Sequence, residues 1–196
     1  MVGMIRAIIF DCFGVVIGDG LQLLTSDLRL HDPAAAQHVH DLVLMANRGL
    51  MDPGEASRQV ATLCGLDYDT YRLRVGEGEV RDEALLSYVE SLRGLYKTAL
   101  LSNIGNGGLK RRFADKELDR YFDVVVASGD IGYAKPEPEA YEIVADRLGV
   151  RLDECVFTDD RADYCEGARA VGMQSIQYLD FPQFKAELEA LLLAHA

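Results

Sequence analysis

The sequence predicts an α/β protein: a doubly wound parallel sheet carrying one inserted α-helical segment. Three observations lead to that expectation. Short, nearly all-apolar runs rich in β-branched residues recur along the chain, as do strands buried on both faces of a parallel sheet. Helical patterns stopped by glycine lie between them, and this alternation marks a doubly wound sheet. One long interval, from about Leu21 to Arg93, breaks the rhythm with helical stretches and no convincing strand.

The first run, Met4–Phe10, ends in Asp11-Cys12-Phe13-Gly14 and reads as the first strand. The interval after it is too long for a single crossover. Within it, Asp52-Pro53-Gly54-Glu55 is a helix start, with Asp as N-cap, Pro at the first position and Glu at the third. Asp82 caps a further helix that runs through Leu92 toward the sheet. Residues 19–93 are therefore expected to form a helical cap, and residues 1–18 with 94–196 the sheet core. Further strands are predicted at Tyr96–Leu101, Val124–Ala127, Cys155–Thr158 and Ser175–Tyr178. Helices are predicted at Glu139–Leu148, stopped by Gly149, and at Ala162–Val171, stopped by Gly172. Gly105-Asn106-Gly107-Gly108 reads as a connection into a helix. Phe181–Ala194 reads as a closing helix with apolar residues on one side.

Composition narrows the function. The chain has 196 residues, 49% hydrophobic and 27% charged, with a formal net charge of −12. That suits one core of ordinary size plus an insertion. A polyanion would be repelled over most of this surface, so neither nucleic acid nor an anionic membrane is an expected partner. A small anionic substrate is compatible, because local cations and backbone N–H groups can override the global field. The apolar stretch from Ile5 to Phe10 is too short to span a bilayer and reads as no secretory signal. The four cysteines (Cys12, Cys64, Cys155, Cys165) form no CxxC pair, and each is expected to be a reduced packing residue. A cytoplasmic location is expected. Composition says nothing about oligomeric state.

In a parallel sheet, ligands bind at the carboxyl ends of the strands. The first predicted strand ends at Asp11, the second at Ser102-Asn103 and the fourth at Asp159-Asp160, and Lys135 follows the third. The carboxylates offer hard oxygen ligands that suit Mg²⁺. Asp11 is the candidate nucleophile toward a phosphoryl group. Ser102, Asn103 and the N–H groups at the next helix start are candidates for holding phosphate. Lys135 is the candidate for screening developing charge and orienting Asp11.

Four segments resemble the motifs of the haloacid dehalogenase-like superfamily, in that family's order: Phe10-Asp11-Cys12-Phe13-Gly14-Val15-Val16; Leu100-Leu101-Ser102-Asn103; Ala134-Lys135-Pro136-Glu137-Pro138-Glu139-Ala140-Tyr141; and Phe157-Thr158-Asp159-Asp160 running on to Met173. The resemblance implies a Rossmann-like core with a helical cap after the first strand. It also implies Mg²⁺ held by Asp11, the backbone carbonyl of Phe13 and Asp159, with Asp160 assisting. Two positions depart from the family pattern. Phe13 stands where its phosphatases usually carry a second Asp as general acid and base, and Tyr164 stands where an Asp or Asn is common.

The leading expectation is Mg²⁺-dependent hydrolysis of a small phosphorylated metabolite. Metal-free dehalogenation of a 2-haloacid through an ester on Asp11 is the first alternative, since dehalogenases of that superfamily place an aromatic residue at the Phe13 position. A degenerate member that binds a ligand without turnover is the second.

Overall fold

The computed structural model describes residues 4–195. Five strands, β1 (Ala7–Phe10), β2 (Lys97–Ser102), β3 (Val124–Ala127), β4 (Cys155–Asp159) and β5 (Gln174–Gln177), form one parallel sheet in the order β3-β2-β1-β4-β5. Every residue of β1 is fully buried, as a central strand with helices on both faces requires. Its side chains alternate between two layers. Ile8 and Phe10 join Leu85, Val89, Phe184 and Leu188 on one face. Ala7 and Ile9 join Tyr141, Val144 and Leu148 on the other.

These layers are supplied by α5 (Glu83–Leu92) and α10 (Phe181–Ala194) on the first face. On the second lie α8 (Pro138–Leu148) and α9 (Ala162–Ala170). The result is the doubly wound, Rossmann-like α/β fold. Two short helices, α6 (Glu117–Tyr121) and α7 (Ser128–Ile131), flank β3.

Between β1 and α5 the chain forms α1 (Gly20–His31), α2 (Pro33–Asn47), α3 (Pro53–Leu63) and α4 (Tyr68–Gly78). They bury their own apolar cluster of Val39, Leu42, Val60, Ala61 and Tyr71. Helices α1 to α5 all begin in the same way. Asp19, Asp32, Asp52, Asp67 and Asp82 each accept a hydrogen bond from the backbone N–H three residues on. Such caps contribute about 1 kcal/mol apiece, so part of the chain's acidic excess sits at helix starts, where negative charge is favoured.

Strand order reverses between β1 and β4, which places a crevice outside the carboxyl ends of those two strands. Asp11 follows the last residue of β1, and Asp159 is the last residue of β4. Among the described residues, no helix is long and apolar enough to cross a membrane.

Candidate active site

The backbone builds the site first. Asp11 leaves β1 with its N–H donating to the Thr158 carbonyl at 2.9 Å, which fixes it beside the end of β4. The Lys135–Pro136 peptide is cis. Asn103, just past the end of β2, clamps Lys135 by its main chain. Its Nδ2 donates to the Lys135 carbonyl at 2.8 Å, and its Oδ1 accepts from the Lys135 N–H at 2.8 Å. The Asn103 amide thus positions Lys135.

Lys135 is buried, and its Nζ lies 2.6 Å from Asp11 Oδ1 and 2.6 Å from Asp159 Oδ2. The rings of Phe157 and Tyr164 flank the ammonium at 5.3 and 5.2 Å, a favourable arrangement for a desolvated cation. Asp160 lies over Gly14. A Cβ at Gly14 would stand 2.6 Å from the Asp160 Cγ, and the backbone there has φ of 85°. Ser102, the last residue of β2, is fully buried, and its hydroxyl has no hydrogen-bond partner. A buried polar group without a partner is costly, and this one stands one residue before Asn103, at the same sheet end as Asp11.

Lys135 faces Asp11 and Asp159 directly, and Arg161 adds a weaker attraction on Asp160. Asp11, Asp159 and Asp160 each offer an oxygen, and these lie within 4.8 Å of one another. Burial, reinforced by Asp159, pushes Asp11 up to about 8 against the pull of Lys135. Burial and Asp159 likewise push Asp160 up to about 6. Burial opposes the Lys135 charge, but Asp11 and Asp159 hold its pKa above the ordinary lysine value. The cluster therefore carries more negative charge than Lys135 offsets. A hard divalent cation matches that surplus and the oxygen-only donor set.

Two guanidinium groups stand where the sequence departs from the family pattern. Arg112 lies 4.9 Å from the centre of the Phe13 ring, and its Nε donates to Glu79 Oε2 at 2.8 Å. Glu79 closes the end of α4, so this pair ties the helical insertion to the loop after β2. Arg161 lies 4.4 Å from the Tyr164 ring and pairs with Asp163, while its backbone N–H donates to Asp159 Oδ1 at 3.0 Å. Sequence reasoning missed Arg112 and Glu79, which are 33 residues apart and carry no local signal. Arg161 directly follows the acidic pair, and that adjacency was the available clue.

Asp11, Phe13, Asn103, Lys135 and Asp160 share one cavity of about 620 Å³ with Arg112, Arg161 and residues of α1 to α4. Ser102 and Asp159 lie behind that floor, fully buried. The strand-end residues singled out from the sequence thus come together at the crevice between β1 and β4.

Comparison with known proteins gives the family and the fold. The family described as haloacid dehalogenase-like hydrolase matches the chain over residues 5–172. Phosphatase MT3486 of Mycobacterium tuberculosis is 53% identical over 53 residues, covering 27% of this chain and only about a quarter of that protein's length. The D-ribitol-5-phosphate phosphatase of Bacteroides thetaiotaomicron is 25% identical over 208 residues, covering 96% of this chain and 99% of that protein. Among solved structures, a HAD family enzyme from Bacteroides thetaiotaomicron in complex with magnesium and inorganic phosphate superposes with a TM-score of 0.71. It is 21% identical and covers 92% of this chain and 98% of its own.

Proposed function

The chain belongs to the haloacid dehalogenase-like hydrolases, and on that premise we propose that it is a Mg²⁺-dependent phosphatase acting on a small phosphorylated metabolite. The observation that carries this reading is the buried constellation at the strand switch point. Lys135 bridges Asp11 and Asp159, Asp160 stands beside them, and a cavity opens above.

The roles follow from position. Asp11, the backbone carbonyl of Phe13 and Asp159 would hold Mg²⁺, with Asp160 assisting. When bound, the ion would neutralise phosphoryl charge and let an anionic Asp11 approach phosphorus. Asp11 attacks phosphorus, the bond to the leaving oxygen breaks, and an aspartyl-phosphate forms. Water then attacks that phosphorus, the bond to Asp11 breaks, and phosphate departs. Lys135 keeps Asp11 aligned and screens charge developing on the phosphoryl oxygens. The unpartnered Ser102 hydroxyl supplies a hydrogen bond to phosphate. Asn103 contributes to substrate binding through the backbone of Lys135.

Residues 19–93 act as the cap over this site, with α1 to α4 as its roof and α5 packed on the sheet. All four cysteines are free thiols, which suits a cytoplasmic protein. Phe13 favours metal-free dehalogenation. The third carboxylate, Asp160, and the uncompensated negative charge weigh against it.

The test is turnover of p-nitrophenyl phosphate with and without Mg²⁺, joined to a soak with Mg²⁺ and beryllium fluoride. Activity that disappears with EDTA, and a beryllium fluoride adduct on Asp11, are expected. Activity indifferent to EDTA, or no adduct on Asp11, would overturn the proposal.

A further inference from the structure

A phosphoryl group occupies about twice the volume of a water molecule, roughly 60 Å³. The cavity above Asp11 measures about 620 Å³, the size of sites that enclose a whole drug-sized ligand. Most of its space therefore belongs to the alcohol part of a substrate, and the wall chemistry indicates what that part is.

The walls away from Asp11 come from the insertion. Helix α2 contributes Val39 and Val43, α3 contributes Ala56 and Val60, and α4 contributes Tyr71 and Val75. Val60 is 1% exposed and Val39 5%, so the cavity reaches into the insertion's apolar core. Several polar side chains along the same walls are already paired. The Thr25 hydroxyl donates to the Leu21 carbonyl at 2.8 Å, and the Gln37 amide donates to Asp41 at 2.8 Å. Ser57 is hydrogen-bonded to the Tyr71 hydroxyl. Gln22, Asn47 and the exposed His40 also line these helical walls, and Asp19, Glu79, Arg111, Arg112 and Arg161 line the rest of the cavity, so the apolar surface is the part formed by the valines of α2, α3 and α4. Each sugar hydroxyl brought in without a partner would lose its water unreplaced. At the floor, the Phe13 ring adds apolar surface beside Asp11 in the position of a charged group.

We infer that the site takes phosphate monoesters whose alcohol carries an extended, mainly apolar moiety, seated between α2, α3 and α4 with the phosphoryl group on Asp11. This inference rests on the phosphatase reading for its chemistry and on the cavity walls for its specificity. Each buried methylene should raise kcat/KM about three- to fourfold until the chain reaches the end of the cavity.

A series of 4-n-alkylphenyl phosphates, methyl to octyl and below micelle-forming concentrations, isolates this effect, because the phenols differ little in acidity. The expected result is a steady rise in kcat/KM with chain length, followed by a plateau. Ala56→Phe and Val43→Phe should bring the plateau to shorter chains, and Val60→Lys should flatten the slope. Circular dichroism melting selects the variants that fold. A parallel calorimetric titration with n-alkylphosphonates should show affinity climbing with chain length, independently of turnover. A flat or falling series, or faster hydrolysis of sugar phosphates than of the octyl compound, would overturn the inference while leaving the phosphatase reading intact. Absent hydrolysis of every ester, p-nitrophenyl phosphate included, would sink the phosphatase reading. Chain-length-dependent phosphonate binding would then still uphold the apolar site, and its absence would overturn that too.

Discussion

At position 14 the backbone lies at φ of 85°, and the Asp160 carboxylate fills the space where a Cβ would be. Gly14→Ala therefore meets left-handed strain of about 1–2 kcal/mol and a displaced Asp160 together. A lowered melting temperature is expected, with weaker Mg²⁺ binding by calorimetry; unchanged Mg²⁺ affinity would show that Asp160 is not part of the cluster. Asp11→Asn should behave in the opposite sense. Turnover should vanish, yet metal-free stability should hold or rise, because the amide removes a charge that burial and Asp159 disfavour. Measurable turnover by this variant would exclude Asp11 as nucleophile. Phe13 can neither give nor take a proton, and a positioned general acid is worth about 10²–10⁴ in rate. Aryl phosphates with acidic phenols should accordingly outpace simple alkyl phosphates by a comparable factor, as a leaving-group plot of kcat/KM would show. Equal fast rates would mean that another group supplies the proton. Asp11, Ser102, Lys135 and Asp159 were legible because a strand's carboxyl end is where a parallel sheet exposes chemistry. The Arg112–Glu79 pair was not, because nothing local links a residue after β2 to the end of α4.

Apolar runs report burial, and burial is not the same as pairing. The run at Met4–Phe10 predicts a longer strand than forms. Ile5 is 4% exposed and belongs to the core, but the ladder begins at Ala7. Likewise the predicted Ser175–Tyr178 forms as Gln174–Gln177, with Tyr178 packed in the core just past the ladder. The closing helix forms over its predicted span, because Asp180 caps it and its apolar side is continuous. The helix starts at Asp52 and Asp82 were legible from their neighbours. Those at Asp19, Asp32 and Asp67 were not; α4, for example, buries only Tyr71. Asp123 links three elements. It accepts from the Thr98 N–H of β2 at 2.8 Å and from Arg93 at the end of α5 at 2.8 Å, just before β3. Burial raises its pKa, but these donors outweigh burial and hold the carboxyl below its usual range. Its stabilising effect is present above the ordinary carboxylate pKa and lost as pH falls through the lowered value. Asp123→Asn should lower the melting temperature near neutrality, and the gap from wild type should close under acid conditions. A gap that persists in acid would assign the effect to packing instead.

For the whole molecule, the site joins β1, β2 and β4 to the loop carrying Lys135, so a cation bound there stabilises the folded chain as a unit. Mg²⁺ at a hundredfold excess over its dissociation constant should add about 2.7 kcal/mol, read as a raised melting temperature that EDTA reverses. No shift at saturating Mg²⁺ would remove the metal from the proposal. The topology that creates this crevice also sets a schedule. Strand β1 is central, but its partners are made long after it: Ala7 pairs with Lys97 and with Cys155. At roughly 5–20 residues per second of synthesis, the first partner arrives about 5–20 s later and the second about 7–30 s later. The helices of the insertion can form locally during that delay, while the segment Ala7-Ile8-Ile9-Phe10 waits as an apolar strand with neither neighbour. Nascent chains arrested before residue 155 should be retained by a chaperone that binds apolar segments, and chains arrested well beyond β5 should be released. The strand that leads into Asp11 is thus the one the cell must guard longest while the protein is being made.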